Sequence, residues 1–175
     1  MHDKKTIALF TLCLGAALCG SCSNEGSSPA ADKATTATPA STKHASACDL
    51  VTPAEMSTIL GVAVLAAPGG NDRPPASTEC IYSSAAGPEP DAELEVDWGS
   101  GDPQVLGAAA GLANSAGPSG AVDPLHGLGE RAYQVTADQV FISTRGNLMM
   151  IRFPRHSSDV VPKARRIYET ASARM

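Results

Sequence analysis

The N-terminal 47 residues constrain the fold more than any other part of the chain. They are predicted to contribute nothing to the hydrophobic core, so the folded domain must be built from the residues that follow. Lys4 and Lys5 precede an apolar run, residues 6–18, which ends in small residues. This is the layout of a secretory signal peptide. The run has 13 residues, whereas roughly 20 are needed to cross a bilayer, so it predicts an export signal and not a permanent span.

A cysteine, Cys22, directly follows the small residues Gly20 and Ser21. A cysteine directly after such a cleavage site marks a bacterial lipoprotein. Residues 1–21 are therefore predicted to be the signal peptide, and Cys22 is predicted to carry the lipid that holds the exported protein on a membrane, facing the periplasm or the cell exterior. Because Cys19 stands where such signals usually carry leucine, two alternatives stay open: release as a soluble secreted protein by ordinary cleavage near Ser21, and an uncleaved anchor.

Residues 23–47 have a composition that opposes folding. Of these 25 residues, 18 are Ala, Ser, Thr or Pro, and none of the apolar residues is larger than Ala. Such a segment cannot bury enough surface to offset the entropy lost on ordering. Residues 22–47 are thus predicted to be the lipid-anchor cysteine and a disordered tether, and residues 48–175 a single domain.

Two cysteines, Cys48 and Cys80, remain in that domain. In an exported chain an isolated pair most simply forms a disulfide, which in the loop-entropy treatment stabilises the fold by about 3 to 4 kcal/mol. A reactive thiol or a metal-binding pair is the alternative.

The first predicted element is a short helix. Thr52 is followed by Pro53 and, three places on, by Glu55, which is the capping-box arrangement of a helix N-terminus. Gly61 follows Leu60 and supplies the left-handed stop. The helix is therefore predicted to begin at residue 53 and end at residue 60.

The strongest strand signal lies in residues 91–98, which alternate acidic and apolar side chains without a break. Further strands are predicted at residues 62–65, from 80, and at 132–135, 139–145 and 148–153. Residues 66–75 and 117–127 are predicted to be loops. A helix over residues 103–114 should bury one face, and a last helix should begin near Asp159. The inward face of that last helix is predicted to be Ala164, Ile167, Tyr168 and Ala171. The buried face of the middle helix is predicted to be Val105, Leu106, Ala109 and Leu112.

These elements follow in the order αβββαβββα. Short connections between strands imply antiparallel pairing. The predicted fold class is therefore α+β, with a single antiparallel sheet of about five to six strands and helices packed on it.

Charge is distributed unevenly along the chain. Residues 72–130 carry ten acids and one base, and residues 131–175 carry eight bases and three acids. Arg145 and Arg152 are predicted to lie opposite the acidic strand as cross-strand partners. The alternative is a binding surface for a partner or for anionic lipid, formed by Arg152, Arg155, His156, Lys163, Arg165 and Arg166. Net negative charge argues against a nucleic-acid partner.

No metal site or cofactor is predicted. The carboxylates of the acidic strand could attract Ca²⁺, but alternate residues on a strand lie nearly 7 Å apart. Residues 127–132, Gly-Leu-Gly-Glu-Arg-Ala, match the dinucleotide pattern by letter. That pattern needs a strand before it and a helix after it, and here a loop precedes and a strand follows.

No catalytic residues are predicted either, because the domain has no established nucleophile or metalloprotease motif. The chain is interpreted as a non-enzymatic envelope module that binds an unknown protein or small ligand, or supports an assembly. An extracytoplasmic hydrolase that uses His126 or His156 in a site assembled only in space is the alternative.

Three segments carry a family resemblance: residues 48–61, Cys80-Ile81-Tyr82, and residues 127–133. Together they resemble a recurrent family of small secreted bacterial lipoproteins, best known from actinobacteria. The family has no established function. The resemblance implies the same architecture, export and pairing of the two cysteines, and it assigns no catalytic residues.

Overall fold

The structure, a computed structural model, describes residues 44–116 and 122–175. The predicted signal peptide, Cys22 and most of the tether lie outside these residues. The described part is α+β, with one antiparallel sheet of seven strands and four helices. None of its helices is both long and apolar enough to span a membrane.

The helices and strands can be given in chain order. The helices are α1 Ala47–Leu50, α2 Pro53–Leu60, α3 Pro103–Ser115 and α4 Val160–Ser172. The strands are β1 Leu65–Pro68, β2 Ser77–Ser83, β3 Ala92–Asp97, β4 Asp123–Leu125, β5 Arg131–Thr136, β6 Gln139–Thr144 and β7 Asn147–Arg152. Within the sheet the strands stand in the order β1-β2-β3-β7-β6-β5-β4, and every neighbouring pair is antiparallel.

The predicted fold class is confirmed, but the predicted element order needs two additions. Helix α1 is a single turn capped by the Ser46 hydroxyl, which is too short to show a helical period. Strand β4 has three residues and pairs with β5 inside a segment predicted to be a loop. The count of five to six strands is therefore too low. In addition, the first strand begins at Leu65, three residues later than predicted.

Helix α2 confirms the predicted capping box. The Thr52 hydroxyl accepts a hydrogen bond from the backbone N–H of Glu55, and the Glu55 carboxylate accepts one from the backbone N–H of Thr52 at 2.9 Å. Gly61 ends the helix with φ of 77°. Local chemistry alone thus sets both ends of this helix.

The main core lies between one face of the sheet and helices α1, α2 and α4. Strand β3 contributes Ala92, Leu94 and Val96 to it, in the predicted alternation. Helix α4 buries Ala164, Ile167 and Ala171. The predicted inward faces of these two elements are confirmed.

Helix α3 covers part of the opposite face of the sheet. Ser143 directly follows the core residue Ile142 on β6, and because successive side chains of a strand point to opposite faces, it points away from the main core. Its hydroxyl donates to the carbonyl oxygen of Gly101 at 2.5 Å, just before α3 begins. A Cβ atom on Gly107 would meet the Arg131 guanidinium. The helix therefore lies against β5 and β6.

The predicted buried face of α3 is wrong. Val105 and Leu112 are 64% and 73% exposed, and the buried residue is Ala110. The helix contains no charged residue, so the sequence offers no polar face to set against an apolar one. Small residues, Gly107 and Ala110, let the helix approach the sheet, and its larger side chains stay outside.

Candidate functional site

The disulfide between Cys48 and Cys80 ties α1 to β2, with the two Cα atoms 5.0 Å apart. The predicted bond is confirmed, and it leaves neither thiol free for metal binding or catalysis. Beside it, the Tyr82 hydroxyl donates to the carbonyl oxygen of Val51 at 2.6 Å. Burial, assisted by nearby carboxylates, raises the pKa of Tyr82, so the hydroxyl keeps the proton that it donates. These two links hold α1 against the sheet.

The loop between β1 and β2 is fastened to Glu79, which is only 4% exposed. The backbone N–H of Asn71 donates to the Glu79 carboxylate at 2.7 Å. In return, the backbone N–H of Glu79 donates to the carboxylate of Asp72 at 3.3 Å. The cis peptide bond between Pro74 and Pro75 follows. The loop therefore presents Asp72 and the two prolines at fixed positions beside α1.

A cavity of about 510 Å³ opens between this loop and the residues around α1. We call it the N-terminal pocket. Its lining residues come from three places in the chain: α1 with the residues just before it, the β1–β2 loop and the start of β2. They are His44, Ala45, Ser46, Asp49, Asp72, Pro74, Pro75 and Thr78. A volume of this size is within the range of small-molecule sites.

Thr78 is the unusual member of the pocket. It is 3% exposed, and its hydroxyl has no hydrogen-bond partner among residues 44–116 and 122–175. Buried polar groups are nearly always hydrogen-bonded, because an unpaired one has lost water without replacement. A buried hydroxyl that lines a cavity without a partner is therefore a candidate ligand contact.

An aromatic pair lies at the edge of the pocket. The imidazole of His44 stacks on the indole of Trp98, with ring centroids 4.4 Å apart and ring planes 7° from parallel. The indole N–H of Trp98 is buried, and in the described ranges it too lacks a partner. Trp98 is the single tryptophan of the chain. The pocket thus has a built-in spectroscopic reporter.

The acidic side chains of β3 point to the face of the sheet that lies away from the main core. Arg152 pairs with Glu93 directly across β3 and β7, as predicted. Arg145 does not join them, because it lies in the β6–β7 turn and donates to the Ser172 carbonyl oxygen. Burial and the neighbouring Asp97 and Glu79 raise the pKa of Glu95. Within the described residues, no group of three or more metal-ligating side chains is arranged around a common point.

The six residues of the predicted basic surface divide between two places. Arg155 lines one shallow concavity with Arg152 and another with His156, and Asp138 lines both. The other three lie on α4. Of these, Lys163 donates to the Ser158 carbonyl oxygen, Arg165 donates to the carbonyl oxygens of His126 and Gly127, and Arg166 lines a groove with Glu55 and Glu169.

The glycines of residues 127–132 have a structural role. A Cβ atom on Gly129 would lie 2.3 Å from the Ser143 carbonyl oxygen, so this close approach to β6 requires glycine. A short strand, β4, stands just before the motif where a loop was predicted, and a second strand, β5, begins within it at Arg131 where the dinucleotide pattern needs a helix. His126 and His156 are both exposed, and in the part of the chain that the structure describes no hydrogen bond joins either imidazole to a serine or a carboxylate.

Fold and pocket together define a small, disulfide-bonded α+β domain with a partly enclosed cavity beside its first helix. Comparisons of the chain with protein-family models, with curated proteins and with solved structures found no match.

The sequence interpretation did not single out the pocket residues. Asp72, Pro74 and Pro75 fall in a predicted loop, and Thr78 precedes a predicted strand. The one signal that could have directed attention here is the single tryptophan at the end of the alternating strand. The cavity itself has no sequence signature, because it forms only where segments from three parts of the chain meet.

Proposed function

We propose that the protein is an exported, lipid-anchored envelope protein whose domain, residues 48–175 together with residues 44–47 that pack onto it, is a non-enzymatic binding module. In this proposal the N-terminal pocket holds a small ligand. The observation that carries the binding role is the Thr78 hydroxyl, which is buried, lines the cavity and has no partner among the described residues. A ligand in a cavity of this size would supply the hydrogen-bond partner that the hydroxyl lacks.

Three features support the export and anchoring. The N-terminal segment has the layout of a signal peptide that ends at Cys22. The disulfide between Cys48 and Cys80 is of a kind that persists in oxidising compartments. We also propose that the chain belongs to the family of small secreted bacterial lipoproteins that it resembles. Membership of that family would support both export and lipid anchoring. The pocket begins at His44, at the end of the proposed tether.

Anchoring is tested by cell fractionation of a Cys22→Ser variant. We expect the parent protein in the membrane fraction with a mass that includes the lipid, and the variant in the soluble exported fraction, because serine cannot form the thioether to the lipid. Cys19→Ser is the matched control and should stay on the membrane. If Cys22→Ser remained on the membrane after signal cleavage, the anchor would be wrong.

The binding role is tested by filling the cavity. Ala45 lines the pocket, so Ala45→Phe should occupy it and exclude the ligand. Native mass spectrometry of protein extracted from its own envelope should show a small-molecule adduct on the parent chain and none on this variant. Ala86→Phe, at an exposed position, is the control and should keep the adduct. An adduct of equal occupancy on Ala45→Phe would contradict the assignment of the pocket.

A further inference from the structure

We infer that the N-terminal pocket binds an organic ammonium ion, in which a primary amine is carried on a compact apolar body. This inference rests on the proposed function, because it names the ligand class of the same pocket. Four properties of the lining support it: its charge, its hydrogen-bonding groups, its apolar wall and its size.

The charged groups of the lining favour a cation. Asp49 and Asp72 both line the pocket, and among the described residues that line it there is no lysine or arginine. Asp72 accepts one backbone hydrogen bond through Oδ1, and within residues 44–116 and 122–175 its Oδ2 atom has no hydrogen-bond partner. Asp49 is exposed. An anionic ligand would meet both carboxylates, whereas an ammonium group would be attracted by each.

The hydrogen-bonding groups fit an ammonium in kind as well as in charge. An ammonium has three donors and no acceptor, so it needs oxygen atoms around it. The Thr78 hydroxyl supplies one such oxygen from the buried wall, and it has no partner of its own in the described ranges. The carboxylates of Asp49 and Asp72 supply others. An ammonium at the mouth of the pocket could therefore donate to the carboxylates, and a small displacement of the wall that uncovers the Thr78 oxygen, which is closed to solvent, would let it donate to the hydroxyl as well.

The remaining lining is suited to the ligand's apolar body. Ala45, Pro74 and Pro75 offer methyl and ring carbons. The imidazole of His44, which is held in place by its stacking on Trp98, adds a flat ring to this wall. A cavity of about 510 Å³ lies toward the lower part of the range for small-molecule sites, so the body should be compact.

The experiment uses the fluorescence of Trp98 in the full-length chain, purified in detergent. Because the protein has a single tryptophan, the signal comes from the indole that stacks on His44, one of the lining residues of the pocket. The titrants are cyclohexylmethylamine, the neutral cyclohexylmethanol and the anionic cyclohexanecarboxylate, which share one body and do not absorb at the excitation wavelength. We expect saturable binding of the amine, binding of the alcohol weaker by about tenfold or more, and no binding of the carboxylate.

Variants locate the binding. Asp49→Asn, Asp72→Asn and Thr78→Val should each weaken amine binding by about tenfold. Two controls away from the pocket, Asp123→Asn and Thr58→Val, should bind like the parent. Thr78→Ser keeps the hydroxyl and should retain binding, so a loss in Thr78→Val can be separated from a loss of fold.

Several results would overturn the inference. Equal affinity for the amine and the alcohol would show that the pocket does not recognise charge. Equal weakening by Asp123→Asn and Asp49→Asn would show only general attraction to an acidic protein. If no titrant bound while Cys22→Ser still released the protein from the membrane, the ligand class would be wrong and the anchoring would stand. Amine binding together with unchanged attachment of Cys22→Ser would reject the anchor alone.

Discussion

Glu55 connects the two ends of the folded domain. Its carboxylate accepts two hydrogen bonds from the Arg174 guanidinium, at 2.6 and 2.7 Å, and Arg174 also donates to the Leu50 carbonyl oxygen at 2.8 Å. The bond to Arg174, followed by that to the Thr52 backbone, lowers the pKa of Glu55 to about 2. One residue thus serves both as the helix cap that the sequence predicts and as a clamp for the C-terminus.

The low pKa of Glu55 predicts a window of pH-dependent stability. A carboxyl with a pKa lower in the folded than in the unfolded chain stabilises the fold above its ordinary pKa of 4.5, and the gain is lost as pH falls toward 2. Glu55→Gln should therefore lower the urea midpoint at pH 7 and flatten its fall between pH 4.5 and 2. Glu89→Gln, at an exposed loop position, is the control. Parallel pH profiles for Glu55→Gln and the parent would contradict this.

At the scale of elements, two leucines that were both predicted to face the core differ in burial. Leu94 on β3 is fully buried, whereas Leu112 on α3 is 73% exposed. Leu94→Ala should lower the free energy of unfolding by about 2 to 5 kcal/mol, because it leaves a cavity in the core. Leu112→Ala should change it by less than about 0.5 kcal/mol. Urea denaturation measures both, and a large loss for Leu112→Ala would mean that α3 buries the face predicted from its sequence.

The elements that could be predicted are those with local signals. Helix α2 has its capping box and glycine stop, β3 has its period of two, and α4 has an apolar stripe between charged residues. Helix α1 and β4 are too short to show a period. The orientation of α3 depends on which of its faces meets β5 and β6, and this is a matter of steric fit at Gly107 and Ala110. The pocket needs contacts between distant segments and could not be predicted.

At the scale of the whole molecule, the disulfide is a covalent link between α1 and β2. Reduction should lower the free energy of unfolding by about 3 to 4 kcal/mol, because it frees a long loop in the unfolded chain. The comparison is urea denaturation with and without reductant. The double variant Cys48→Ala/Cys80→Ala should match the reduced parent and should not respond to reductant. An unchanged midpoint on reduction would contradict a stabilising role.

The Cys48–Cys80 bond also determines how the domain responds to mechanical force applied through its N-terminal tether. Under the proposed anchoring at Cys22, tension from the membrane enters the fold near residue 44 and soon reaches Cys48. The bond passes that load directly into β2 and bypasses the residues in between, which span a sequence separation of 32. Unravelled, they would add about 110 Å of extended chain. Five of the eight lining residues of the N-terminal pocket lie within this bypassed stretch, whereas His44, Ala45 and Ser46 lie before Cys48 and carry the load. Tension on the tether should therefore draw the approach to α1 away and open the pocket, while the β1–β2 loop on its other side keeps its shape.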